Sequence, residues 1–455
     1  MHPKLSLSAA VFAALLAGAG VARAELTPAE LAKLGSTLTP LGAEAAGNAA
    51  GTIPAWTGGL KTPPVQGYKP GVSYPDPYAG DKPLFTITPA NAEQYKEHLT
   101  PGQLAMLHKY PDYKLVVYPS HRSAAFPKGH YDETLAAAAK AKLAEGGNGV
   151  LGANGGIPFP IPKNGQEAIW NHLLRYHGNA FATTWTGGAV QQNGSFTPMR
   201  TTFELDYSYG NLDKSAAQHT PNRVFNFMQS FSSPPRLAGT IMLVYEPLDQ
   251  VKEPRTTWIY SPGQRRVRLA PEVGYDNPAN STDGLNTNDD FNMFNGAIDR
   301  YDWKLVGKQE IYVPYNSYGL MSRDLKHADV VKPGHINQDL ARYELHRVWV
   351  VEAAVKPGKR HLYAKRTFYI DEDSWAVVLT DRYDARGQLW RVGEAHSIML
   401  YDMPLYLQTT EAHYDLLSGR YLIKGLYNQE ATILDPIKRN PADFTPARLR
   451  DLGTR

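Results

Sequence analysis

Glu394 and His396 stand two residues apart on an expected β-strand and so share a face. That is the spacing of an acid/base pair, and equally of two residues in a cross-strand surface pair. No nucleophile, base and oxyanion donor can be named together around them, and the G-x-S-x-G elbow is absent. The chain has no Cys, which excludes thiol nucleophiles, disulfides and thiolate metal sites. His172 and His177 are five apart on an expected helix, which sets them on different faces, and no His-x-x-x-His occurs. Residues Gly147 to Gly152 satisfy G-x-G-x-x-G, but a helix is expected before them and a Pro-rich extended segment after. A dinucleotide site needs strand, turn and helix in that order, so the match is discounted. The stretch from Asp283 to Asp290 has calcium-loop character, yet Leu285 and Thr287 fall at ligand positions. It reads as a solvated turn, with a loose carboxylate site as the alternative. Asp371, Glu372 and Asp373 sit in a tight turn, where acids favour turn formation and solubility. No catalytic residue, metal ligand or cofactor is assigned, and the expectation is a protein that is not an enzyme.

Binding is the chemistry the residues favour. The chain has 27 Tyr and 8 Trp, side chains with an apolar body and a polar tip. Six of the Trp (Trp185, Trp258, Trp303, Trp349, Trp375 and Trp390) fall in expected strands, as do Tyr260 and Tyr369. Thr256, Trp258 and Tyr260 share one face by alternation. A curled sheet lined by such residues encloses either an apolar cavity or a dry core. Trp258, Tyr260, Trp303, Trp349, Tyr369, Trp375 and Trp390 are the candidate ligand contacts, at the cavity or its mouth.

The elements that must position them follow from punctuation and periodicity. Residues 343–354, 361–370, 375–383 and 389–400 read as a four-strand meander, joined by Lys356-Pro357-Gly358-Lys359, the acidic turn, and Asp384-Ala385-Arg386-Gly387. Further strands are expected at 113–118, 181–191, 197–207, 239–245, 255–260, 265–270 and 303–313. That makes about eleven in one antiparallel sheet, enough to force it to curl. A helix capped by Asn164 carries Ile169, Trp170, Leu173 and Leu174 on one stripe. It and an Asn/Asp-rich insert at 272–298 are the expected lid. Residues 25–112 read as an extended Pro/Gly/Tyr-rich leader with short helices, 113–434 as the sheet-forming body, and 435–455 as a polar, surface tail.

The first 24 residues read as a secretory signal. A short basic start precedes the apolar run 5–21, and Ala22-Arg23-Ala24 has the A-x-A form. Cleavage after Ala24 and a periplasmic location are expected. The formal charge of +3 falls to +1 without Lys4 and Arg23, which gives no basis for a nucleic-acid partner.

Four segments carry a family resemblance: LTPLGAEAAGNAAGTIPAWTGG at 38–59, NGQEAIWNHLLRYHG at 164–178, TTWIYSPGQRRVRLAP at 256–271 and KRTFYIDEDSWAVVLTDRYDARGQLWR at 365–391. They resemble an uncharacterised proteobacterial secreted family, a domain of unknown function described as outer-membrane-lipoprotein-sorting-like. The likeness spans essentially the whole chain after residue 24. Its β-part is similar to the lipoprotein carrier LolA and the receptor LolB. The resemblance implies a mainly β (α+β) fold, an antiparallel half-barrel of about eleven strands closed by lid helices over a cavity for acyl chains. It also implies a carrier for a lipid, a lipoprotein acyl chain or another lipophilic molecule, with an envelope protein partner and peripheral contact with the outer membrane. The chain is about twice the length of those carriers. Two other functions stay open: a non-catalytic envelope adaptor that works through the leader, and a lipid or glycan hydrolase in which Glu394 and His396 would act.

Overall fold

The computed structural model describes residues 26–63, 66–212, 222–250, 252–270, 276–279, 281–438, 440 and 443–453. The signal segment, 1–24, lies outside the described residues.

Short-range chemistry sets the elements. Thr27 and Thr100 each close a capping box, with Pro at the first helical position, starting α1 (Pro28–Leu31) and α2 (Pro101–Lys109). Helix α3 (Lys128–Ala138) and a small hairpin, β3 (Lys142–Leu143) with β4 (Val150–Leu151), follow. The G-x-G-x-x-G stretch overlaps this hairpin and ends in coil, not a helix. Asn164 caps α4 (Gly165–Leu174) by accepting from the Glu167 amide.

One sheet dominates, with 16 strands instead of the expected eleven. In chain order these are β1 (Phe85–Ile87), β2 (Leu115–Val117), β5 (Ala180–Val190), β6 (Met199–Asp206), β7 (Arg223–Phe231), β8 (Ile241–Pro247), β9 (Thr256–Ser261) and β10 (Arg266–Leu269). They continue as β11 (Tyr301–Pro314), β12 (Tyr343–Val355), β13 (Lys365–Asp371), β14 (Val377–Tyr383), β15 (Leu389–Leu400), β16 (Leu405–Asp415), β17 (Tyr421–Leu426) and β18 (Asp435–Pro436). Strands β11 to β17 form a continuous antiparallel meander. Strand β17 then pairs with β5, and the sheet runs on through β10, so it curls without closing. The short strands β1, β2 and β18 attach at its margins.

The five strands that raise the count are of two kinds. β1 and β18 are too short to show a period. β7, β16 and β17 carry polar residues at inward positions, among them Gln408, Glu411, His413 and Lys424, which breaks the apolar alternation that marks a strand.

The two faces of the sheet are covered differently. All of α4 except Gln166 is buried, and it lies against β11 and β12, filling the concave side where a lid was expected. His172 fixes it there: its Nδ1 accepts from the Val377 amide at 3.1 Å, and its Nε2 donates to the Phe294 carbonyl at 3.0 Å. Burial, with Arg175 beside it, holds this imidazole neutral. Helix α2 crosses β14 and β15, and the short α5 (His327–Val330) lies between β11 and β12 in the chain. The C-terminal helix α6 (Pro446–Gly453) covers β8 to β10 and buries Phe444 and Leu449, so the described part of the tail is docked.

The leader is a strap. Leu41 and Ile53 are buried. The Trp375 indole donates to the Leu41 carbonyl at 2.9 Å, and Arg347 donates to the Ala46 carbonyl at 2.9 Å. Gly42 has φ +90°, and a Cβ there would lie 1.7 Å from the Pro160 carbonyl oxygen, so only glycine fits that crossing.

Candidate ligand-binding cavity

The seven candidate aromatics serve the walls of the fold, and none lines the cavity described below. Trp258 and Tyr260 point to the convex side of β9. There Trp258 meets Tyr245 edge-on at 4.8 Å, and the Tyr260 hydroxyl donates to the Gly453 carbonyl of α6 at 2.7 Å. The expected shared face is correct; its direction is not, because α6 rather than a ligand covers it. Trp303 packs on Phe294 and Phe368 and donates to the Ile298 carbonyl at 2.9 Å. Trp375 is fully buried at φ +58° and stacks at 6.1 Å on Trp349, which also carries the Lys308 ammonium 4.8 Å over its ring. The Tyr369 hydroxyl donates to Asp381 at 3.1 Å. Trp390 donates to Asp415 at 3.0 Å under the Arg391 guanidinium. The meander is thus a packed wall.

The cavity lies one register over, on the concave side of the other half of the sheet. Its volume is ≈ 380 Å³, and Trp185, Met199, Phe203, Phe227, Phe231, Met242, Val244 and Ile259 line it from β5 to β9. Ile259 faces inward because it alternates with Trp258 and Tyr260; Met242 and Val244 alternate in the same way with Leu243 and Tyr245. Trp185, Phe227, Phe231 and Met242 are only half-buried, which marks a lined space rather than a closed core.

The insert completes one wall. Phe291 stacks on Phe227 at 5.9 Å and lies 6.2 Å from Phe225. Asn292 and Met293 follow it at φ +50° and +71°, a sharp reversal that turns the ring inward. The part expected to be a solvated or calcium-like loop is anchored by ion pairs instead. Asp289 and Asp290 are buried. Asp289 meets Arg366 at 2.7 Å and His361 at 3.0 Å, while Asp290 meets Arg366 at 2.7 Å and Arg382 at 3.1 Å. Burial opposes ionisation, and Arg366 with His361 outweighs it, holding Asp289 down at about 2.

A smaller space of ≈ 80 Å³ adjoins it, and both are lined by Trp185, Phe203, Phe291 and Lys424. Its walls are mixed: Arg175, His177, Gln408, Glu411 and Lys424 stand beside Phe181, Tyr207 and Tyr406. Glu411 pairs with Lys424 at 2.8 Å and meets His413 at 3.3 Å; against the opposing effect of burial these hold it down at about 2. His177 stacks on Tyr207 at 4.5 Å, and burial beside Arg175 keeps it neutral.

The polar pairs noted in the sequence lie away from this space. Glu394 and His396 are both fully buried, 3.9 Å apart, and Glu394 accepts from Tyr113 at 2.6 Å and Tyr343 at 3.2 Å. Burial pushes Glu394 up and His396 down to about 3, so both are neutral-leaning core groups. The acidic turn is buried as well. Asp373 forms a fork with Arg122 at 2.8 and 2.7 Å, and Glu372 meets Arg347 and Lys308. His346, Asp371 and Asp373 place ligand atoms within 4.8 Å of one another, but both Asp373 oxygens are already taken by Arg122. These partners come from residues 25 or more positions away, so turn chemistry alone had no access to them.

With the geometry in place, the chain can be set beside known proteins. Residues 86–450 match the model of the family described as "Protein of unknown function (DUF1329)". The chain belongs to this family. The "Uncharacterized protein PA3922" of Pseudomonas aeruginosa is 52% identical over 429 residues, 94% of each chain. Among solved structures, a domain from Vibrio parahaemolyticus named for outer membrane lipoprotein sorting is 12% identical, with a TM-score of 0.43 over 62% of this chain and 97% of that one. A DUF1329 family protein from Desulfovibrio piger is 13% identical, with a TM-score of 0.41 over 60% and 92%. A LolA superfamily protein from Nitrosomonas europaea is 11% identical, with a TM-score of 0.37 over 62% and 98%.

Proposed function

We propose that this DUF1329 member is a binding or carrier protein for a lipid, an acyl chain or another lipophilic molecule in the periplasm, exported by a signal cleaved after Ala24 and delivering its cargo to an envelope partner. The observation that carries the reading is the ≈ 380 Å³ space lined by half-buried Trp, Phe and Met on the concave face. That volume falls in the range of about 300–1,000 Å³ typical of small-molecule sites, and its lining is the kind that binds apolar groups. Phe291 stands where the insert meets the sheet and closes one wall of the space.

The test is native mass spectrometry and solvent extraction of protein purified from its envelope without detergent. A co-purifying lipophile, lost when Met242→Trp fills the space, is expected. Repeated preparations without a lipophile, together with no uptake of added neutral apolar probe, would overturn the reading.

A further inference from the structure

The described residues include seven buried arginines, and six of them have a carboxylate within ion-pair distance: Arg122, Arg342, Arg347, Arg366, Arg382 and Arg391, at 2.6 to 3.1 Å. Arg175 is the exception. It is 6% exposed, and no carboxylate oxygen among the described residues lies within 4.0 Å of its guanidinium. Its partners are neutral acceptors: the His172 carbonyl at 2.7 Å, His172 Nδ1 at 3.1 Å and Gln408 Oε1 at 2.5 Å. Burial weakens its hold on the proton, to about 10, so the side chain stays cationic at neutral pH. A buried charge with no carboxylate in contact is costly, Glu411 acting on it only from a distance, and Arg175 lines the smaller space. Glu411, the acid in the same wall, is committed to Lys424 and His413.

We infer that the ligand is a single-chain amphiphile with a carboxylate head, its chain lying among Met242, Phe227 and Trp185 and its head meeting the Arg175 guanidinium in the smaller space. This rests on the lipophile-binding reading above. Arginine presents a planar fork that matches a carboxylate. The smaller space of ≈ 80 Å³ suits a compact head and leaves no room for a zwitterionic phospholipid headgroup. Trp185, Phe203 and Phe291 line both spaces, which places the proposed chain and head on either side of the same three rings.

The test uses the full chain after residue 24 and displacement of N-phenylnaphthylamine, a neutral fluorescent probe, at pH 8. Dodecanoate, dodecanol and monododecyl phosphate are compared. Dodecanoate is expected to bind about tenfold more tightly than dodecanol, the strength of one charge-assisted hydrogen bond. Arg175→Met should abolish that preference, bringing the two affinities together, and Arg175→Lys should retain part of it. The wild-type comparison needs no variant, so it stands even if Arg175→Met fails to fold. Equal affinity for dodecanoate and dodecanol would overturn the carboxylate assignment and leave the lipophile reading in place. Tighter binding of the dodecyl phosphate would also overturn it. Displacement by none of the three would overturn both.

Discussion

At the scale of single residues, charge pairing inside a low-dielectric core decides which side chains matter. Arg366 is fully buried and bridges Asp289 and Asp290, each at 2.7 Å, so it ties the insert to β13. Removing one member of such a network leaves an uncompensated charge, which costs about 3–5 kcal/mol. Arg366→Met is therefore expected to lower the unfolding free energy by that amount, read from urea denaturation followed by circular dichroism, and to weaken probe binding because Phe291 loses its anchor. Asp381 works in the opposite sense. Burial raises its carboxyl to about 7, against the help of the Tyr369 hydroxyl. The unfolded carboxyl titrates near about 4, so between the two values the native state holds a proton that the unfolded state has lost. Its contribution to stability is complete below about pH 4 and declines as pH rises through about 7. Asp381→Asn should accordingly flatten the fall in wild-type stability between pH 5 and pH 8, an effect of the order of a few kcal/mol readable from denaturation midpoints at both pH values.

At the scale of elements, the leader and the C-terminal helix behave as parts of the core. Leu41 and Ile53 are each worth about 1.5–3 kcal/mol if fully buried. The strap also satisfies the Trp375 indole and Arg347. A chain starting at residue 60 is therefore expected to melt at a lower temperature than one starting at residue 26, with red-shifted Trp emission as Trp375 and Trp349 become wet. An unchanged melting curve would count against the strap. Helix α4 is an element whose sequence and role diverge. Its apolar stripe of Ile169, Trp170, Leu173 and Leu174 predicts a helix with one buried face, whereas the curl of the sheet buries its other sides too, leaving Gln166 as the position not buried.

At the scale of the whole molecule, the two halves of the sheet do different work. The meander from β11 to β16 wraps α4 into a packed core, and β5 to β9 curl over open, aromatic-lined space. Met242 sits half-buried in that space. Met242→Trp should therefore reduce the affinity for N-phenylnaphthylamine several-fold while the melting temperature changes little, whereas Trp349→Ala, in the wall, should lower the melting temperature and leave probe affinity nearly unchanged.

Residue order alone specifies the local grammar: the capping boxes at Thr27 and Thr100, the Pro-Gly turn at 357–358, strand β15 at its observed limits, and the alternation that puts Thr256, Trp258 and Tyr260 on one face. These follow from neighbours within a few positions, which a linear sequence displays. Which face is concave depends on packing between distant parts of the chain. Trp258 and Ile259 obey the same period, and the choice between them was made by α6, about 190 residues later, whose Gly453 carbonyl takes the Tyr260 hydroxyl. The same holds for the acidic turn, read as solvated and found paired with Arg122 and Arg347. Apolar periodicity reports how a strand is half-buried; it carries no record of what closes over each side.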